Sequence, residues 1–364
     1  MKALLLCPDA YGGHGGIALF NRELIAALAT CPGISEVVVI PRLIVRETEP
    51  IPPAVTFCRE AAGGKIRFMR TLNRVLGAKS FDLVIYGHIH LLPASLLVQT
   101  QSGMASLLIT HGIEAWKAPK SVVARHFINS MSAVVSVSNL TRERFLDWSK
   151  FPGRSYVLPN AVRLEDFGMR PRNPELTRRY RLEGKRVLLT LGRIVAAERY
   201  KGFDEVLEIM PALLREHRDI VYMIGGDGSD RPRLEKKAAR LGVADHVVFT
   251  GHIPESEKAD LYNLADVYVM PSRGEGFGFV FLEAAACGVP VIASKHDGGR
   301  EALLGGRLGL LVDPSNPAEI EAAINESLLR PKRIHPDLEL LSFQSFERNV
   351  HAIVREILGT AQRA

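Results

Sequence analysis

The segment "DVYVMPSRGEGFGFVFLEAAACGVPVIAS", residues 266–294, decides the architecture. It opens with a short β-branched apolar run and passes through a glycine-rich turn. It continues as the apolar stretch "FVFLEAAACG", which Gly288 and Pro290 stop as a helix, and closes on a second apolar run, "GVPVIAS". Short runs that are apolar at nearly every position are strands buried on both faces, the condition of parallel sheets covered by helices. Strand, helix and strand in that order form a crossover unit. The turn at residues 276–278 therefore delivers backbone N–H groups at a helix amino end, where anions are stabilised, and its small residues let a ligand come close. Two carboxylates flank that turn: Glu275 just before it and Glu283 eight positions later.

The same alternation runs outward in both directions. In the second half, "KRVLLTLGRI" (185–194), "DIVYMIGGDG" (219–228) and "DHVVFTGHI" (245–253) read as further buried strands, separated by helical segments at 201–217, 231–242 and 256–265. In the first half, runs at 2–8, 36–41, 81–88, 105–112 and 132–139 read as strands, with helices at 16–30, 94–100 and 140–149 between them. The expected fold class is α/β: two Rossmann-like, doubly wound parallel-sheet domains facing across a cleft, with ligands at the carboxyl ends of the strands. The connection falls within 158–184, rich in Pro, Arg and Asn and without a sustained period. The expected domains are 1–165 and 182–344.

Composition fits this plan. A chain of 364 residues exceeds one ordinary core, and 47% hydrophobic with 24% charged residues can fill two. No apolar run of about eighteen residues is present, and the start, "MKALLLCPDA", is too short a hydrophobic stretch for a secretory signal, so a cytoplasmic location is expected. Cys7, Cys31, Cys58 and Cys287 are widely spaced, which indicates buried thiols and neither a zinc site nor a disulfide frame. The net charge of +6 divides into +9 over residues 1–180 and −3 over the rest, so the two halves are expected to meet different partners.

Residue chemistry then narrows the ligand. Carboxylates repel a bound phosphate, so Glu275 and Glu283 must aim elsewhere: they are good acceptors for hydroxyl protons, and the plainer alternative is a helix that begins with an acid at its positive end. A nucleotide sugar, with a diphosphate between two hydroxyl-bearing rings, would use both. A diphosphate demands cations. "LGRIVAAERYKGF" supplies Arg193 just past a strand and Lys201 at the start of the next helix, although residues of this kind are also common as solvated surface charges. In the first half "DAYGGHGGIALFNREL" sets a glycine loop between strand and helix, where a phosphate would meet Gly15 and Gly16; a tight turn is the plainer alternative. "GGKIRFMRTLNRVLGAKSF" (63–81) places Ile66, Met69, Leu72 or Asn73, and Leu76 on one helical stripe, with Lys65, Arg67, Arg70 and Arg74 off it. Such a helix either packs on the sheet or lies on an anionic membrane surface.

Taken together, the pattern resembles the retaining glycosyltransferases of family 4, which have the two-domain GT-B fold. Glu275 and Glu283 match that family's E-x7-E motif. The likeness extends through the glycine loop at 12–16, "THG" at 110–112, "VSVSNLTRERF" at 135–145, "LPNAV" at 158–162, "GR" and "YKGF" between 192 and 203, "GDG" at 226–228 and "FTGHI" at 249–253. The resemblance implies that Arg193 and Lys201 hold the donor diphosphate and that Gly15 or Gly16 approaches it. Glu283 would bind the ribose, and Glu275, with the amides of residues 276–280 (Gly276, Phe277, Gly278, Phe279 and Val280), the transferred sugar. His111 matches the family's active-site histidine that contacts the sugar; Asn160, His252 and Ile253 match donor-side positions. It implies further that a final helix, 345–361, packs back on the first domain.

No D-x-D triplet occurs, so neither a bridging metal nor any cofactor is expected, and the nucleotide sugar is a substrate. The expected reaction moves a hexose from GDP-mannose, UDP-glucose or UDP-N-acetylglucosamine to a hydroxyl of a lipid-linked saccharide in polysaccharide or lipopolysaccharide assembly, on the inner face of the cytoplasmic membrane. A nucleotide-sugar epimerase or a glycogen-synthase-like enzyme is the alternative on this fold. A dinucleotide-dependent oxidoreductase is disfavoured because the glycines run GGHGG and not G-x-G-x-x-G. Nucleic acid is disfavoured because only 7% of residues are aromatic and the basic ones are not interleaved with them.

Overall fold

Continuous apolar runs become parallel strands in both halves of the chain. The computed structural model describes residues 1–99 and 103–361. It divides into two units, one of residues 1–161 with the segment from Phe343 onward, the other of residues 162–342.

In the first unit the described residues form one seven-stranded sheet from β1 (Lys2–Cys7), β2 (Glu36–Pro41), β3 (Val55–Phe57), β4 (Leu83–Tyr86), β5 (Ala105–Thr110), β6 (Ala133–Ser136) and β7 (Arg154–Val157). Its order is β3-β2-β1-β4-β5-β6-β7 and every pairing is parallel. The helices are α1 (Gly16–Ala29), α2 (Lys65–Ala78), α3 (Ser95–Val98), α4 (Val122–Ile128) and α5 (Asn139–Ser149). Where a helix is expected over 94–100, the structure forms only the short α3, and Thr100 lies outside the described residues. The last helix, Phe343–Ala361, packs on α1: Phe346 meets Phe20 edge to face at 5.6 Å, and the Thr30 hydroxyl donates to Glu347 at 2.6 Å.

The α2 face differs from the expected stripe. Phe68, Thr71 and Leu72 are buried, with Met69, Val75 and Leu76 packed beside them, while Ile66 is 70% exposed. Phe68 brings the larger apolar surface, so the helix turns it to the sheet and leaves Ile66 outward with Arg67 and Arg70.

The second unit has six parallel strands among its described residues: β8 (Arg186–Leu191), β9 (Ile220–Gly225), β10 (Val247–Phe249), β11 (Val267–Met270), β12 (Val291–Ser294) and β13 (Leu310–Val312), in the order β10-β9-β8-β11-β12-β13. Its helices are α6 (Pro174–Arg179), α7 (Phe203–Glu216), α8 (Arg231–Arg240), α9 (Glu255–Leu264), α10 (Phe279–Ala286), α11 (Gly299–Ala302) and α12 (Pro317–Leu328). Strand order reverses beside β8, where β9 lies on one side and β11 on the other, and crossover loops diverge there to leave a ligand crevice. The equivalent point in the first unit lies between β1 and β4. All four cysteines are buried free thiols.

Candidate active site

In the second unit, two glycines sew neighbouring strand ends together. A Cβ at Gly226 would lie 2.1 Å from the Gly192 carbonyl oxygen, and one at Gly228 2.2 Å from that of Ile194, so the turn after β9 tolerates no side chain at either place. The close approach lets Ile194 N–H donate to Asp227 O at 3.0 Å and Gly192 N–H to Gly225 O at 2.9 Å. Arg193 is thereby fixed just past the end of β8, its side chain 75% exposed and ion-paired with Glu198.

Lys201 folds back over Gly192 and is only 15% exposed. Its ammonium lies 3.3 Å from Glu275 Oε2 and 3.6 Å from Glu198 Oε2. Burial pulls its pKa down, but the nearby Glu275 and Glu198 carboxylates outweigh burial and raise it, so Lys201 is held charged.

The loop carrying Glu275 is pinned by a residue from the next crossover. Asp297, 3% exposed, accepts the Ser272 hydroxyl at 2.7 Å and the Glu275 N–H at 2.9 Å on Oδ2, and the Gly299 N–H at 3.0 Å on Oδ1. Gly298 N–H donates to Glu275 O at 2.9 Å, and a Cβ at Gly298 would lie 2.1 Å from Gly276 O. Burial pushes Asp297 up to about 6 against its three donors, with Glu275 adding to the rise. Gly278, at φ 95, precedes α10 and no side chain caps the helix, so the amides that open it have no side-chain acceptor at its positive end. Phe277 and Phe279 are buried beneath the turn, Val280 partly so.

Glu283, 3% exposed, lies on α10 with both oxygens engaged: Oε1 accepts Lys258 at 2.8 Å and Oε2 accepts the Tyr262 hydroxyl at 2.6 Å. Each oxygen retains one acceptor position. His252 and Ile253 follow β10, beside the bridge between Gly226 and Gly251.

In the first unit Gly15, at φ 85, caps α1, whose first residue is Gly16; the space a Cβ of Gly15 would fill is open. His111 follows β5, stands edge to face with Phe20 at 5.0 Å and stacks on His88 at 6.2 Å. Its Nε2 lies 2.9 Å from the Gly87 carbonyl oxygen, which can only accept, so Nε2 carries the proton and Nδ1 keeps a lone pair. Burial lowers its pKa to about 4 despite that bond, which keeps the ring neutral. Asn160 is 7% exposed, with Oδ1 unpartnered. Lys65, Arg67, Arg70 and Arg74 are exposed along α2, Arg74 paired with Glu60.

The fold thus gathers Arg193, Lys201, Glu275 and residues 276–280 at one end of the second sheet, with Glu283 in the same helix and His252 and Ile253 two strands away. Gly15, Gly16, His111 and Asn160 belong to the other unit. Four residues at the second-unit site escaped the sequence reading: Glu198, Asp297, Lys258 and Tyr262. Glu198 stands three positions before Lys201, a spacing that could have marked it as an ion-pair partner. Among the described residues no group of three or more His, Cys, Asp or Glu is placed to hold a metal ion, and no helix is long and apolar enough to cross a membrane.

Comparison with known proteins agrees with this architecture. Residues 14–166 match the model described as Glycosyltransferase Family 4, and residues 173–336 the one described as Glycosyl transferases group 1. The chain is 33% identical over 276 residues to a GDP-mannose-dependent alpha-(1-6)-phosphatidylinositol monomannoside mannosyltransferase of Mycolicibacterium smegmatis, covering 72% of this chain and 71% of that one. It is 33% identical to a D-inositol 3-phosphate glycosyltransferase of Geodermatophilus obscurus, over 63% of this chain but only 52% of the relative. A sucrose-phosphate synthase structure from Thermosynechococcus elongatus superposes with a TM-score of 0.78 over 99% of both chains at 22% identity, a likeness of fold. The chain belongs to the family 4 glycosyltransferases of GT-B fold, enzymes that use nucleotide sugars.

Proposed function

We propose that the protein transfers a hexose, with retention of anomeric configuration and without a metal, from GDP-mannose or from UDP-glucose or UDP-N-acetylglucosamine to a hydroxyl of a lipid-linked saccharide. The observation that carries this reading is Lys201. A lysine 15% exposed survives as a cation only where opposite charge compensates its lost hydration, and here Glu275 and Glu198 supply it beside the uncapped end of α10. One oxygen of Glu198, shut off from solvent, has no hydrogen-bond partner. A diphosphate entering this corner takes over Lys201 and Arg193, and its negative charge is met by side chains already in place.

Each residue then has a role in this reading. Lys201, Arg193 and the α10 amides hold the leaving diphosphate; donors of this kind are worth roughly 100- to 1000-fold in turnover each. Glu275, released from Lys201, accepts hydroxyl protons of the transferred sugar. Glu283 uses its remaining acceptor positions for the ribose. His111, neutral with Nδ1 unprotonated, accepts from a sugar hydroxyl, and a phosphate oxygen takes the acceptor's proton as the new bond forms.

GDP-mannose is the first donor to test, because the mycobacterial relative is named as dependent on it and acts on a lipid. The outward Ile66, Lys65, Arg67 and Arg70 of α2 suit a peripheral position on an anionic membrane at the inner face of the cytoplasmic membrane. The epimerase or glycogen-synthase-like alternative is not favoured, since the relatives above are named as a mannosyltransferase and a D-inositol 3-phosphate glycosyltransferase. A thermal-shift panel of GDP, UDP and their sugars, followed by transfer of labelled sugar to extracted lipid, tests the reading. Stabilisation by one diphosphate and label in the lipid fraction is expected; no shift with any nucleotide would overturn it.

A further inference from the structure

In the first unit the glycine loop grips one of the chain's own carboxylates. Gly12 N–H donates to Glu49 Oε2 at 2.7 Å, while Arg22 and Arg46 donate to Oε1 at 3.1 and 2.5 Å. The segment after β2 folds onto the loop to bring this about: Val45 and Arg46 N–H donate to Gly12 O at 3.0 and 3.2 Å. A Cβ at Gly12 would lie 2.8 Å from Arg46 O and 3.2 Å from the Thr48 methyl, so only glycine fits.

Two donors of the same segment are left over. Arg46 Nε and Thr48 Oγ1 are both shut off from solvent and have no hydrogen-bond partner. Two guanidinium groups and a backbone amide converge on Glu49, a donor set suited to a phosphoryl group, which offers more oxygens than a carboxylate in a tetrahedral array, and Thr48, whose methyl lies beside Gly12, brings a spare hydroxyl in the same segment. Glu49 itself is one third exposed, so its carboxylate can turn into water while the donors stay.

We propose that Gly12, Arg22, Arg46 and Thr48 form a site for a phosphate group of the acceptor, closed in this structure by the Glu49 side chain, which the incoming phosphate displaces. The proposal rests on reading the protein as a transferase whose first unit receives the acceptor. It adds a phosphate as the group recognised and makes Glu49 a gate on acceptor entry. The same donors would take a soluble phosphomonoester or a phospholipid headgroup.

The test uses the full chain with its nucleotide site saturated by the preferred nucleoside diphosphate, and glycerol 3-phosphate as the soluble probe. Glu49→Ala should bind the probe about tenfold more tightly than wild type, as expected when a competing charge-assisted contact is removed. Adding Arg22→Gln to Glu49→Ala should abolish that gain. Glu49→Gln, which keeps the side-chain volume, should give a smaller gain and serves if the alanine variant does not fold. Flotation with vesicles of phosphatidylcholine, with and without phosphatidylinositol, distinguishes the sources: binding that Glu49→Ala strengthens only with phosphatidylinositol assigns the site to a lipid, and a gain for glycerol 3-phosphate alone assigns it to a soluble ester. Equal affinity of wild type and Glu49→Ala for both probes, or a gain that survives Arg22→Gln, would reduce Glu49 to a loop-closing ion pair and overturn the proposal. Nucleotide binding on the same samples reports separately: its absence would remove the donor reading, its presence with no Glu49 effect only this one.

Discussion

The two units each hold cations at the ends of their central strands with a carboxylate of the chain, and they do so differently. In the second unit Glu198 is a tenth exposed, packed between Arg193 and Lys201, and the whole corner is braced from behind by Asp297. In the first unit Glu49 is a third exposed, sits on a long connection and covers a backbone amide that would otherwise be open. The difference teaches what burial does for a charged site: a deeply held carboxylate positions cations for a ligand that arrives beside it, whereas a surface one competes with the ligand for the same donors. The first arrangement is built for charge stabilisation, the second for gating.

Substitutions can break that contrast at several strengths. The largest effect should come from Glu283→Ala, which leaves the buried Tyr262 hydroxyl without its acceptor and Lys258 with only its longer contact to Glu255 at 3.3 Å. Losing one partner of a buried pair costs about 3–5 kcal/mol, so chemical denaturation should show that loss along with weakened nucleotide binding. Lys201→Ala should lower turnover roughly 100- to 1000-fold and also lower the melting temperature, since Glu198 and Glu275 lose a shared cation, while the protein stays folded. Glu275→Ala should damage transfer while leaving affinity for the free nucleoside diphosphate close to wild type. Arg193→Ala, at a mostly exposed side chain, should cost nearer tenfold in turnover, read from steady-state kinetics, at the lower end of what such contacts supply. If Arg193→Ala proved more damaging than Lys201→Ala, burial would not be what sets their ranking.

Two pH effects sharpen the contrast further and are smaller. His111, lowered to about 4 from 6.5, contributes stability that is fully present above pH 6.5 and lost as pH falls through about 4. His88 behaves alike, burial carrying it down to about 4 as well. Asp297 runs the other way: raised from 3.8 to about 6, its contribution is present below pH 3.8 and lost as pH rises through about 6. Unfolding curves of His111→Asn should therefore lose part of the acid sensitivity of wild type between pH 4 and 6.5, and those of Asp297→Asn should lose part of the opposing slope between 3.8 and 6. Slopes identical to wild type in both variants would contradict the burial assigned to these groups.

Much of the fold was legible because central parallel strands are apolar at nearly every position, as in "EVVVIP" and "DVYVMPSR". The strands that escaped the sequence reading, β3, β7 and β13, are all edge strands. Their half-exposed positions give only three- or four-residue segments, and the one that is wholly apolar, Leu310–Val312, is three residues long. On α2 the helix was legible but its buried face was not, because Ile66 and Phe68 both offered apolar surface and packing chose between them. At the candidate site, glycine turns and strand ends marked where Arg193, Lys201 and Glu275 stand. Their partners were hidden by distance along the chain: Asp297 is 22 residues beyond Glu275, and Lys258 is 25 before Glu283. Pairings of that kind depend on crossover geometry, which no local pattern records.

Calorimetric titration of GDP and UDP into wild type and Lys201→Ala tests the central claim most directly. Wild type should bind one of the two, and the variant, still folded, should bind it at least about tenfold more weakly, the loss expected for one charge-assisted contact. Equal affinity in both proteins would mean that the buried lysine at the reversal of strand order does not hold a diphosphate.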